Sequence, residues 1–261
     1  MYPFLHELLA DKTGGEIFQL FSLSHFFYIV ITAAMIISTL LLCKNKSYET
    51  KRKASKIFIN IAFGLYMADF FLMPFAYGRI DIEKLPFHAC TAMCIMCFAS
   101  NHNKFLEKHR TSIAMLGLIA NITYLLYPAG VMWYSIHPTS YRAVQTLLFH
   151  SFMVVYTILT LVYEREKIEI KKCYRDLVVI LIMTAWAIIG SYCYTADVEG
   201  YSYFFNWFFV LQDPFGIIPR DIATVLMPVL DIVVFFAAEM IIHLIIAYSK
   251  NKARKNCIAD A

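Results

Sequence analysis

Charge is scarce in this chain. Only 16% of its 261 residues are Asp, Glu, Lys or Arg, 60% are hydrophobic, and mean hydropathy is +0.60. Soluble domains carry roughly 25% charged residues, so this chain is not built to face water on all sides. An ordinary cytosolic enzyme, a DNA-binding module and a secreted disulfide scaffold are excluded. The start, Met1-Tyr2-Pro3-Phe4-Leu5-His6-Glu7, lacks a basic n-region and a small-residue cleavage site, so no removable signal peptide is expected. Internal repeats, low-complexity tracts and long linkers are also missing. So are a Gly-rich phosphate loop, a Gly-x-Ser-x-Gly elbow and a His-Glu-x-x-His pair. The seven cysteines show no disulfide spacing: Cys43, Cys90, Cys94, Cys97 and Cys193 lie in apolar runs, and Cys173 and Cys257 lie among lysines.

What is present is apolar length. A membrane-spanning helix needs about 20 apolar residues, and charge-bounded runs predict seven: about 17–43, 57–76, 85–101, 113–134, 144–163, 177–196 and 223–248. The expected fold is an all-α, seven-helix transmembrane bundle forming a single domain over 1–261. Basic residues fall on alternate connections. Residues 44–56, 102–112, 164–176 and the tail from Lys250 hold 18 Lys/Arg, and the other side holds 5, namely Lys12, Arg79, Lys84, Arg142 and Arg220. The positive-inside rule then puts the N-terminus outside and the C-terminus in the cytoplasm of a multi-pass cell-membrane protein. The net charge of +4 belongs to that asymmetry and implies no nucleic-acid partner. The outer segment 197–222, with Tyr201, Tyr203, Asn206 and Trp207, reads either as an interfacial aromatic belt or as a half-inserted roof over a cavity.

Ionisable groups inside spans cost about 2.5–3.5 kcal/mol each on insertion scales and are functional candidates. His25, Asp69, Cys90, His150 and Asp231 sit on five different spans, each roughly 8–13 Å below the outer end at 1.5 Å per residue. Taken singly, each is more readily a satisfied buried polar group; five at one depth predict a pocket in the outer half. In Leu85-Pro86-Phe87-His88-Ala89-Cys90, Pro86 suits a first helical position, which leaves Cys90 near the positive end of the helix dipole. Cys94 and Cys97 share its face and read as inert small hydrophobes. In helical spacing His88 points away from Cys90, so a base is expected from His150 or His25. The lone Cys-x-x-Cys has too few partners for zinc. Span 7 has no lysine for a retinal Schiff base, and nothing beyond two histidines favours haem, so no cofactor or metal is expected.

These residues also carry a family likeness. Phe21-Ser22-Leu23-Ser24-His25, the Leu-Pro-x-His-x-Cys element at 85–90, His150, and Asn206-Trp207 with Pro214 resemble the YwaF-like bacterial integral membrane family and its eukaryotic relative, transmembrane protein 164. Trp207 and Asp213 depart from the family's Asn-Tyr and Lys-Pro. The resemblance implies an acyltransferase acting on lyso ether-phospholipids through a cysteine. More distant androgen-regulated membrane hydrolases cleave fatty esters with a threonine and a histidine. Carried over, Cys90 is the nucleophile and His150 its base, with His25, Asp69, His88, Asp231, Asn206 and Trp207 lining the substrate pocket and membrane lipid as the partner. Two other classes stay open on the residues alone: a small-molecule or proton-coupled transporter using the polar layer, and a seven-helix binding or sensor protein without chemistry.

Overall fold

Hydropathy and local capping together fix the helices. The computed structural model describes residues 3–10, 12, 15–78, 84–133, 135–198, 201–204, 210–211 and 216–259. Helix α1 spans Pro3–Leu9 and α2 spans Leu23–Cys43. The Ser22 hydroxyl accepts from the His25 N–H at the start of α2, satisfying one of the orphan donors of a helix N-terminus. Helix α3 runs Tyr48–Tyr77, from a Ser47 cap to a left-handed Gly78. It begins nine residues before the apolar run because Lys51, Arg52 and Lys53 are good helix formers.

Helix α4 is Ala89–Ser100, the short α5 is Lys104–Glu107, and α6 is Arg110–Leu126. Pro128 interrupts the next apolar run, because the residue before a proline disfavours helical geometry, and α7 (Ala129–Trp133) follows. Then come α8 (Tyr141–Tyr163), α9 (Cys173–Cys193), an antiparallel hairpin of β1 (Thr195–Val198) and β2 (Tyr201–Phe204), and α10 (Arg220–Ala259). The chain is therefore helical apart from one two-stranded hairpin among the described residues. Asn206 and Trp207 lie outside them.

Among the described residues, six helices are long and apolar enough to cross a membrane, where the sequence leads one to expect seven. The expected third span is α4, whose 12 residues reach about 18 Å at 1.5 Å per residue, against about 30 Å of hydrocarbon. Its length is cut at both ends. Pro86 lies in a turn before the helix, closed by the Phe87 N–H on the Leu85 carbonyl. The Trp186 indole holds the Pro86 carbonyl at 2.9 Å, and the Phe87 ring lies against Gly190, where any β-carbon would overlap it. At the other end, the Asn101 amide donates to the Cys97 carbonyl and the Tyr156 hydroxyl.

Helix α4 is packed among α3, α6 and α9. Small residues permit the approach, as membrane helices require: a β-carbon on Gly117 of α6 would sit 3.2 Å from Cys97 of α4 and from Thr157 of α8. Helix α8 is enclosed along its length, whereas α2 and α10 bare apolar faces, including Leu23, Leu42, Val225 and Val234. That is the pattern a lipid solvent calls for.

The basic connections meet at one end. Arg52 pairs with Glu107 at 2.8 Å, buried Arg110 pairs with Glu164, and Lys167 reaches Glu164 at 3.1 Å. Lys250 donates to the Ile168 carbonyl at 3.0 Å. The alternation of charge along the sequence is thus a single charged cap in space.

Candidate active site

At the opposite end of the bundle, Lys84 is the organising charge. Its ammonium lies 2.6 Å from the buried Asp69 carboxylate of α3. Tyr141 lies close to the same carboxylate, and the Tyr66 hydroxyl donates to the Lys84 carbonyl at 2.9 Å. So placed, Lys84 is near enough for its charge to act on His88, Cys90 and His150. Sequence reasoning counted Lys84 only as an outer-loop charge.

Cys90 is half-buried in the first turn of α4, and the backbone N–H groups of Cys90 and Thr91 face its sulfur. No side chain caps this helix start. Such orphan N–H groups and the helix dipole favour negative charge on the sulfur, and packing against apolar side chains opposes it. Cys94 and Cys97 are fully buried one and two turns further on. Cys97 directs its thiol to the Ile113 carbonyl, 3.8 Å away.

His88 corrects one expectation. The helix starts at Ala89, and His88 is its N-cap with extended backbone (φ −71°, ψ 141°), so helical spacing does not set its direction. The expectation rested on Pro86 as first helical residue, and that position falls in the turn instead. Through its carbonyl, His88 accepts the Thr91 hydroxyl at 3.0 Å.

His150 of α8 is 2% exposed, and its Nδ1 lies 2.8 Å from Asn121 Oδ1 on α6. The Asn121 amide nitrogen donates to the Gly117 carbonyl, also at 2.8 Å. A carbonyl only accepts, so the amide orientation is fixed; Oδ1 faces the histidine, and Nδ1 must be the protonated ring nitrogen. Neutral imidazole then carries its lone pair on Nε2. The Tyr124 ring, stacked at 3.9 Å between centroids, holds the plane of the imidazole.

The remaining polar-layer residues differ in kind. His25 is fully buried, with Nδ1 accepting from the Phe21 N–H at 3.0 Å and Nε2 on the Leu125 carbonyl at 2.9 Å. Both its nitrogens are spent tying the start of α2 to the end of α6. Asp231 is half-buried on α10, and its Oδ2 has no partner among the described residues. A gap of about 10 Å³ lies beside Ala89, Met93 and Phe235.

With Nε2 unprotonated, His150 is equipped to accept a proton, and Asn121 orients it. No group of three or more His, Cys, Asp or Glu side chains converges among the described residues.

The model of the TMEM164 family covers residues 20–248. No curated protein and no solved structure matches the chain.

Proposed function

The chain belongs to the TMEM164 family, and on that footing we propose that it moves acyl groups between membrane lipids, with Cys90 as nucleophile and His150 as base. The observation that carries the reading is the Asn121–His150 hydrogen bond at 2.8 Å, which leaves Nε2 free to take a proton. A thiol is only a few per cent ionised at neutral pH, so this base and the helix start at Cys90 supply what the nucleophile lacks.

In the proposed cycle, His150 Nε2 takes the Cys90 proton and the thiolate attacks an ester carbonyl of the donor lipid. Two orphan N–H groups of the first turn of α4 stabilise the oxyanion. The C–O bond breaks, the leaving lysolipid oxygen takes the proton from His150, and an acyl thioester remains. An acceptor hydroxyl then gives its proton to His150 and attacks; the C–S bond breaks, and the proton returns to sulfur. With a lysophospholipid as acceptor the reaction is transfer, and with water it is hydrolysis. The Lys84–Asp69 pair sits where a lipid phosphate meets the site. In this reading Asp231 belongs to the entry side, the basic cap faces the cytoplasm, and the thiol opens to the outer leaflet.

The test is transfer of a labelled acyl chain from phospholipid to lysophospholipid by the full chain in vesicles. Wild-type protein should catalyse it, and Cys90→Ser and His150→Gln should not. A competing reading, transport without chemistry, is favoured by buried Glu239, whose two carboxylate oxygens lack partners among the described residues. It requires that Glu239→Gln stop vesicle proton uptake while Cys90→Ser leaves it unchanged.

A further inference from the structure

A cavity of about 300 Å³ opens at the charged cap, far along the bundle from Cys90, between the starts of α6 and α9. Asp176 of α9 and His243 of α10 close its floor, and both are nearly fully buried. His243 Nε2 lies 3.0 Å from Asp176 Oδ2. His243 Nδ1 and Asp176 Oδ1, also buried, have no partner among the described residues. Buried polar atoms usually have a hydrogen-bond partner, and these two belong to residues that line the cavity.

The other groups around the cavity show what kind. Its acidic residues are engaged: Glu107 with Arg52 at 2.8 Å, Glu164 with Arg110 and Lys167, Glu169 with Lys172 at 2.6 Å, and Asp176 with His243. The Lys172 hydrogen bond also pulls the Glu169 carboxyl below its ordinary value, so that pair is ionised at neutral pH. Two cations lining the cavity, Lys108 and Arg175, have no acidic partner among the described residues. Helices α6 and α9 both begin here without a capping side chain. Their orphan N–H groups and the Thr111 and Ser112 hydroxyls on the cavity wall add donors. The uncommitted groups around the cavity are thus mostly donors and cations, with Asp176 Oδ1 and His243 Nδ1 buried beneath them.

We propose that this cavity binds a phosphate group that still carries one P–OH, as in inorganic phosphate or a phosphomonoester. The anionic oxygens meet Lys108, Arg175 and the two helix starts, and the P–OH donates to Asp176 Oδ1. Sulfate has the same shape but no proton to give, so its oxygen would face the Asp176 carboxylate. The volume exceeds that of a bare phosphate and leaves room for the organic part of a monoester. Such a monoester comes either from a soluble metabolite or from the headgroup of phosphatidic acid.

The experiment is equilibrium dialysis of the full chain in detergent with labelled inorganic phosphate or sulfate at pH 6 and equal ionic strength. Phosphate is expected to bind roughly tenfold or more tightly than sulfate, the worth of one hydrogen bond to a charged group. Lys108→Ala with Arg175→Ala, both at exposed positions, should weaken phosphate by a similar factor or more. Asp176→Asn, which offers an N–H in place of an acceptor, should bring phosphate and sulfate to equal affinity. Should Asp176→Asn not fold, the double variant still decides. Competition by glycerol 3-phosphate and by dihexanoyl phosphatidic acid separates the soluble from the lipid source. Equal binding of sulfate and phosphate to wild-type protein, or undiminished phosphate binding by the double variant, would overturn the proposal.

Discussion

Asn121 reaches in two directions at once: its amide nitrogen donates to the Gly117 carbonyl one turn back at 2.8 Å, and its carbonyl oxygen receives the Nδ1 proton of His150 at 2.8 Å. A side chain anchored in its own helix therefore dictates the tautomer of a histidine on the next one. Asn121→Leu should remove that control and slow acyl transfer by roughly 10²-fold or more, since orienting groups of this kind matter on that scale. Asn121→Asp, which still accepts the Nδ1 proton, should retain most of the rate. Single-turnover acylation measures both, and equal losses in the two variants would reduce Asn121 to a packing role.

The element holding Cys90 is braced from α9. A β-carbon at Gly190 would overlap the Phe87 ring, and Trp186 fixes the Pro86 carbonyl. Gly190→Ala should therefore displace the helix start and depress labelling of Cys90. Adding Phe87→Ala removes the obstructing ring and should recover part of the loss. If the double variant is worse than the sum of the singles, the bracing account is wrong.

The buried Arg110–Glu164 pair ties α6 to the end of α8. Glu164→Ala leaves a guanidinium that is 2% exposed with its main partner gone, and removing one partner of a buried pair costs about 3–5 kcal/mol. Unfolding in detergent with and without the substitution measures this. A change below about 1 kcal/mol would class the pair with ordinary surface contacts.

Much of this architecture is legible in the sequence, and the misses share one cause. Six long helices and a charged cap follow from hydropathy and the placement of Lys and Arg. The length of α4 does not, because Leu85 and Phe87 look like the start of a span while Pro86 sits in a turn pinned by a tryptophan a hundred residues away. Asn121 escapes for a related reason. With a span drawn to residue 134 it lies 13 residues from the outer end, but α6 stops at Leu126, only five residues on. Its depth matches that of His150 once the helix end is known. Lys84 reads as a loop charge until Asp69 and Tyr141 close around it, and the hairpin at 195–204 has no periodic signal strong enough to stand out among aromatics.

The charged cap also makes a prediction about orientation. Residues 44–56, 164–176 and the segment after Lys250 should all face the cytoplasm. Reporter fusions at these positions should agree with one another. A fusion after Lys250 that reports from the outside would reverse the side on which the thiol opens.

The central claim is that Cys90 takes up an acyl chain, and intact-protein and peptide mass spectrometry after brief exposure to phospholipid tests it most directly. The account predicts one acyl thioester, released by hydroxylamine, on the peptide bearing Cys90. It should be lost in Cys90→Ala, be formed roughly 10²–10⁴-fold more slowly in His150→Ala, and be unchanged in Cys94→Ala and Cys97→Ala. An adduct on Cys94 or Cys97, or none at all while acyl transfer proceeds, would contradict it.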